Sequence, residues 1–262
     1  MFIETARFFD QRLLELEYFK RHRFAYDNYF DEGLVPKSRC YPVILEALQT
    51  VFQYRPEHAN SFAKRLRASA SDSRSCEAIV SEVLVYSHYV PLIDRGFVRA
   101  IDLCKNDFDL KISRPDDTDA YLEVFCIMPE YSKNEHGVFD VRTHTQNAFS
   151  SIRQKLLRKL QKQNQMQEPR ENWAVIDLND VTIAGSFTVA ASLSDGYKVV
   201  IDRSSMRVIG EGFDWTQSVF DSPETRHLHG VINFDLGCYK ERRYILNNRV
   251  RRRTDVPLDH IP

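Results

Sequence analysis

The chain has 262 residues, enough to bury a full core and near the upper size of one domain. Its 36 basic and 37 acidic residues nearly cancel, so net charge names no partner and any nucleic-acid site must be a local patch. Five dispersed cysteines, with no CxxC and no Cys/His ligand spacing, argue against a zinc site or a disulfide framework and fit a reducing cytoplasm.

Residues 1–9 carry Glu4 and lack a signal-peptide layout, and no apolar run is expected to approach the ~20 residues of a membrane span. Residues 2–32 mix aromatic and charged side chains, with Phe8, Leu13, Leu16 and Phe19 in loose helical spacing, broken by Gly33 to Pro36. The basic aromatic tract Phe19–Tyr29 reads either as a nucleic-acid stacking surface or as core aromatics with a solvated face. Helices are expected from Val43 to Tyr54, stopped near Pro56, and from His58 to Ala70. The small, polar stretch Ser69–Ser75 is the natural linker. It divides the chain into a helical accessory region, 1–70, and a larger domain, 71–262.

A longer helix begins near Ser75, with Ser73 or Ser75 as N-cap and Glu77 in its first turn. Ile79, Val83, Tyr86 and Val90 make its apolar stripe, Glu82 lies among them, and Pro91 stands near its end. Asp94-Arg95-Gly96 turns into a strand, Phe97–Ile101. Next, Asp107–Ile112 and Tyr121–Met128 flank a polar turn with Pro115, Asp116, Asp117 and Asp119, the pattern of a hairpin with a wide loop.

Asp109 and Glu123 lie inside these two runs, where an unpaired carboxylate is costly to bury. Side chains alternate along a strand. Asp107, Asp109 and Lys111 therefore share one face of the first strand, and Tyr121, Glu123, Phe125 and Ile127 one face of the second. Pairing of the strands brings Asp109 and Glu123 within reach of one divalent ion. The plainer reading is two surface acids on an amphipathic hairpin.

Pro129–Thr145 is polar, with His136, Asp140 and His144, and reads as a loop. From Thr145 or Asn147 an amphipathic helix follows, with an apolar stripe of Ile152, Leu156, Leu157 and Leu160. Its other face is basic: Arg153, Lys155, Arg158, Lys159 and Lys162. Such a face is ordinarily just solvated; beside a carboxylate site it would attract phosphate and steer a nucleic-acid strand. Trp173–Leu178 reads as a strand covered on both faces. Ser186–Leu193 fits helix or strand, Asp195-Gly196 signals a hairpin before Tyr197–Ile201, and Met206–Ile209 suggests one more strand. His229–Asp235 and Arg242–Leu246 read as strand partners, and Arg249, Arg251, Arg252 and Arg253 form a basic tail.

The order helix with Glu82, turn at Gly96-Phe97, strand with Asp109, strand Leu122-Glu123-Val124-Phe125, basic helix and apolar strand Trp173–Leu178 resembles the core of the PD-(D/E)XK nuclease superfamily over about 76–180. The resemblance implies an α/β fold, a central mixed β-sheet flanked by helices (restriction-endonuclease-like), with the helical region in front. It implies magnesium or manganese held by Asp109 and Glu123, with Glu82 as an accessory ligand. The superfamily's lysine, two residues after the glutamate, falls here on Phe125, which carries no charge. One explanation is a lysine supplied from elsewhere: Lys155 or Lys159 on the next helix, or Lys111. The other is a site that no longer cleaves. Two functions stay open on this basis. One is a magnesium-dependent nuclease with Glu82, Asp109 and Glu123 on the metal and Lys155 on the phosphate. The other is an inactive nuclease-like domain that binds nucleic acid or a protein partner. A lysine ammonium within hydrogen-bond reach of the Asp109/Glu123 site favours the enzyme, and Phe125 capping a closed site favours the binder. Nucleic acid is the expected partner, no membrane is expected, and a homodimer is compatible. No GxGxxG, P-loop, GxSxG or HExxH supports a small-molecule enzyme.

Overall fold

A computed structural model describes residues 41–69, 71–104, 108–126, 142–161, 170–177, 186–235 and 238–247. Among these residues three helices come first: α1 (Tyr41–Tyr54), α2 (Pro56–Ala68) and α3 (Ser73–Asp94). Pro56 sits at the start of α2, where its missing N–H costs nothing, and the extended Arg55 before it is the conformation a residue preceding proline prefers. Arg65 and Arg67 fall in the last turn of α2, where positive charge complements the helix dipole.

Strands β1 (Ala100–Leu103), β2 (Leu110–Ser113) and β3 (Asp119–Cys126) follow, then α4 (Arg142–Gln161), β4 (Glu171–Asp177) and α5 (Ser186–Leu193). The chain continues through β5 (Tyr197–Ile201), β6 (Val208–Phe213), two short 3-10 turns, β7 (Leu228–Asp235) and β8 (Cys238–Leu246). Six strands form one sheet in the order β1-β2-β3-β4-β7-β8, while β5 and β6 form a separate two-stranded ribbon. The three central strands run parallel and the outer pairs antiparallel, so the sheet is mixed.

Helices cover both faces. On one, Leu48, Val51, Phe62, Leu66, Val83 and Tyr86 pack with Ile112, Leu122, Val124 and Val175. On the other, Ile152, Leu156 and Leu160 of α4 and Val189 and Leu193 of α5 pack with Ala174, Ile176 and Val231. The expected α/β class with a mixed sheet between helices is present. Residues on either side of position 70 share the first core, because α1 and α2 pack against α3 within it.

Two expectations are corrected and one alternative is decided. Asp195-Gly196 does not turn a hairpin; it links α5 to β5, and the ribbon turns at 202–207 instead. Ser186–Leu193, which fits helix or strand by sequence, is helix. The stretch Ser75–Asp94 does have the length and apolar composition of a membrane span, contrary to the sequence reading, and its side chains Val80, Val83, Leu84, Tyr86 and Tyr89 are buried in the core of this fold. Phe19–Tyr29, His136, Asp140, Lys162 and Arg249–Arg253 lie outside the described residues.

Candidate functional site

The register Leu110↔Leu122 places Asp109, the residue just before β2, opposite Glu123 in the middle of β3. Phe108 is buried beside Tyr121, ring centroids 5.3 Å apart, and anchors the segment that carries Asp109. The backbone N–H of Asp109 donates to Leu122 O (3.1 Å), and its carboxylate accepts the N–H of Val124 (2.7 Å). Leu122 and Val124 point into the first core, so strand alternation turns Glu123 to the opposite face, toward α4.

There Lys159 meets it. The Lys159 ammonium lies 2.7 Å from Glu123 Oε1 and 3.5 Å from Asp109 Oδ2, and it donates to the carbonyl of Val124 at 2.7 Å. Lys155, expected to support the phosphate, instead donates to the carbonyl of Cys126 (2.5 Å). The two lysines step along β3 in reverse, Lys159 at Val124 and Lys155 at Cys126. Four helical residues rise about 6 Å and two strand residues about 6.6 Å, so an antiparallel helix over a strand keeps this pairing. Lys111 is elsewhere: it faces Asp119 (3.4 Å) and Asp102 (4.0 Å).

Glu82 arrives from α3, almost fully buried, with both oxygens held by the guanidinium of Arg65 at 2.5 and 2.7 Å. A planar fork matched to a carboxylate is the strongest geometry such a pair adopts. Arg65 was not a sequence candidate. Its neighbours Lys64 and Arg67 make it one of several cations on α2, and only the packing of α2 on α3 singles it out.

Five ionisable groups therefore act on one another: Glu82, Asp109, Glu123, Arg65 and Lys159. Burial, then the charge of Asp109, pushes the Glu123 carboxyl up to about 7, against the attraction of Lys159. Burial also raises Glu82, against the hydrogen bonds of Arg65, with Asp109 adding to the rise. Burial would lower the Lys159 ammonium, yet Asp109 and Glu123 hold it above the ordinary lysine value. Three acids against two bases leave one excess negative charge when all are ionised.

Among the described residues no three His, Cys, Asp or Glu side chains are spaced to hold a metal ion. The oxygens that do converge are two carboxylates and one backbone carbonyl, and in this structure they converge on the Lys159 ammonium. Hard oxygen donors around a single cation are the donor chemistry of magnesium and manganese. The donor set thus fits a divalent ion chemically, with Lys159 already at its centre.

The other basic residues of α4 divide. Arg153 turns inward and donates to Ser194 O (3.2 Å) and Gln217 O (3.4 Å), while Arg158 is exposed. No family model matches the chain. No curated protein matches it, and neither does any solved structure.

Proposed function

We propose that the chain is a metal-dependent phosphodiesterase of the PD-(D/E)XK kind, with a restriction-endonuclease-like arrangement of its sheet, acting on DNA or RNA. The observation that carries this reading is the Lys159 ammonium 2.7 Å from Glu123. A cation absent at position 125 is supplied by α4, within hydrogen-bond reach of Glu123 and 3.5 Å from Asp109. Asp109, Glu123 and the Val124 carbonyl would hold magnesium or manganese, with Glu82 behind them. The ion, when bound, supplies charge neutralisation at the phosphate and an acidified water.

The chain's own groups do the rest. Asp109 is fixed by the Val124 N–H, so its carboxylate is oriented before any ligand arrives. The Lys159 ammonium, which occupies the centre of that donor set here, would give way to an ion there and donate from its edge to a water or a phosphate oxygen. Arg65 neutralises Glu82, which leaves the remaining acids to face an incoming ion. The exposed Arg158 offers charge for the nucleic-acid backbone.

Calorimetric titration with manganese and magnesium tests the metal site without a guessed substrate. Binding by the wild type that disappears in Asp109→Ala/Glu123→Ala supports it; a folded wild type that takes up neither ion counts against it. Cleavage of mixed oligonucleotides then tests Lys159: Lys159→Ala should retain metal binding and lose activity by about 10²-fold or more. Undiminished cleavage by Lys159→Ala would remove the lysine from the reaction.

The same contact favours a second reading. Lys159 is itself the permanent cation of the acid pair, and the domain binds nucleic acid or a protein without cutting. That reading expects salt-sensitive binding that EDTA leaves unchanged.

A further inference from the structure

Every large hydrophobic side chain exposed among the described residues belongs to the β5–β6 ribbon or its base: Tyr197, Val199, Val200, Ile201, Met206, Val208, Ile209 and Trp215. Backbone pairing continues past both strands, from Asp195 N–H to Asp214 O (2.7 Å) at the base to Asp202 N–H to Arg207 O (2.8 Å) at the tip. Aromatic contacts seat the base on the body: Tyr197 on Phe213 (5.1 Å), Phe213 by Trp215 (6.2 Å), Trp215 stacked on Phe220 (6.2 Å). β5 pairs only with β6 among the described residues, so its second edge presents N–H and C=O groups to no strand. A two-stranded ribbon is marginal alone, and such an edge is a template for another strand.

The sequence of β5 says which strand. Laid antiparallel on itself with Val200 on the two-fold axis, β5 sets Lys198 opposite Asp202 of the second copy, the residue just past the strand, and Asp202 opposite Lys198. Residues 198, 200 and 202 share one face, so two opposite-charge pairs flank a Val200–Val200 pair there. On the other face Val199 lies opposite Ile201, twice. Shifting the register by one residue breaks the charge pairing. Lys198 also meets Asp214 in its own copy, and one carboxylate oxygen of Asp202 takes the Ser204 and Ser205 hydrogen bonds of the tip turn; the ammonium's other donors and the second Asp202 oxygen are what the partner would use.

We infer that β5 is a self-association edge: two copies of this chain join β5 to β5 antiparallel about Val200, making a four-stranded sheet from two ribbons. The pairing covers both β5 edges and leaves β6 outermost, gives Val199, Val200 and Ile201 cross-strand neighbours, and is isologous, as a closed dimer requires. It stands apart from the nuclease reading, because no residue of the acid site takes part.

Sedimentation of the full chain at tens of micromolar, combined with cysteine pairing, tests it. Residues opposite each other on antiparallel strands have Cα atoms about 4.5–5.5 Å apart, within disulfide range. Val200→Cys, a change at a half-exposed position, should oxidise to a covalent dimer well above the wild-type background on a non-reducing gel. Val199→Cys, whose opposite residue is Ile201, should not. Lys198→Glu should make the protein monomeric, and Lys198→Glu/Asp202→Lys should restore the dimer. A monomeric wild type overturns the inference, whether another part of the chain or a different molecule covers the ribbon. A dimer in which Val200→Cys links no better than Val199→Cys overturns it equally.

Discussion

Glu123 is where burial and charge compete most openly. It is buried, it faces Asp109, and its carboxyl is pushed up to about 7. An acid whose folded pKa lies above its unfolded value holds its proton more tightly when folded, so its contribution to stability is complete at low pH. That contribution is lost as pH rises from the unfolded pKa through the folded one. Between pH 5 and 8 the wild type should therefore lose about 2–3 kcal/mol of stability that Glu123→Gln keeps. Denaturant midpoints of the two proteins across that range measure the difference; parallel pH profiles would show that Glu123 ionises as an ordinary glutamate. Lys159 offsets part of this cost, and Arg65 does the same for Glu82. The site thus holds two buried acids, Glu123 and Glu82, each met by a cation from a different helix.

At the scale of elements, the parallel strands β3, β4 and β7 are the rigid base on which the acids rest, and β7 is locked to β8 by a close approach. A Cβ placed on Gly230 would lie 2.6 Å from Ile245 O and 2.8 Å from the Trp173 ring. Neither can yield cheaply. Ile245 is in the β7–β8 ladder, and the Trp173 N–H donates to Glu171 (2.8 Å), itself clamped by Arg114 at 2.6 and 2.9 Å. Gly230→Ala should accordingly cost about 1–3 kcal/mol by overpacking, read as a lowered Tm in thermal unfolding; an unchanged Tm would mean that the strands separate freely there. Helix α4 is held from below by Ile152, Leu156 and Leu160, and this apolar stripe aims Lys159 at Glu123.

For the whole molecule, α1 and α2 complete the core, and α2 also completes the site. Phe62 and Leu66 of α2 are fully buried with Val83 and Tyr86 of α3, and Arg65 between them holds Glu82. A fragment of residues 71–262 would expose that face of α3 and leave Glu82 without its guanidinium. It should lack a fixed tertiary structure, with weak near-UV circular dichroism and poor proton dispersion. A fragment with native spectra would show that the first 70 residues are a separable accessory unit, as the linker-like composition of 69–75 suggests.

Local pattern determined much of this protein. Periodicity places α3 and α4 within a few residues, because each needs an apolar stripe that only a helical period supplies. The acids in the two strand-like runs stood out, since a carboxylate among β-branched and aromatic residues needs a cation. Pairing was another matter. Lys155 and Lys159 differ by one helical turn and look alike in sequence; only the antiparallel seating of α4 on β3 gives Lys159 to Glu123 and Lys155 to Cys126. Arg65 lies 17 residues before Glu82, and no spacing rule joins them across two helices; packing of α2 on α3 does. The ribbon turn was misplaced for a related reason. Asp195-Gly196 has good turn chemistry wherever it falls, and what decides between a hairpin and a helix-to-strand link is whether α5 can bury Val189 and Leu193 against α4. Sequence specifies which groups need partners; the fold decides which partners they receive, because burial and charge pairing act across distances along the chain that no local pattern spans.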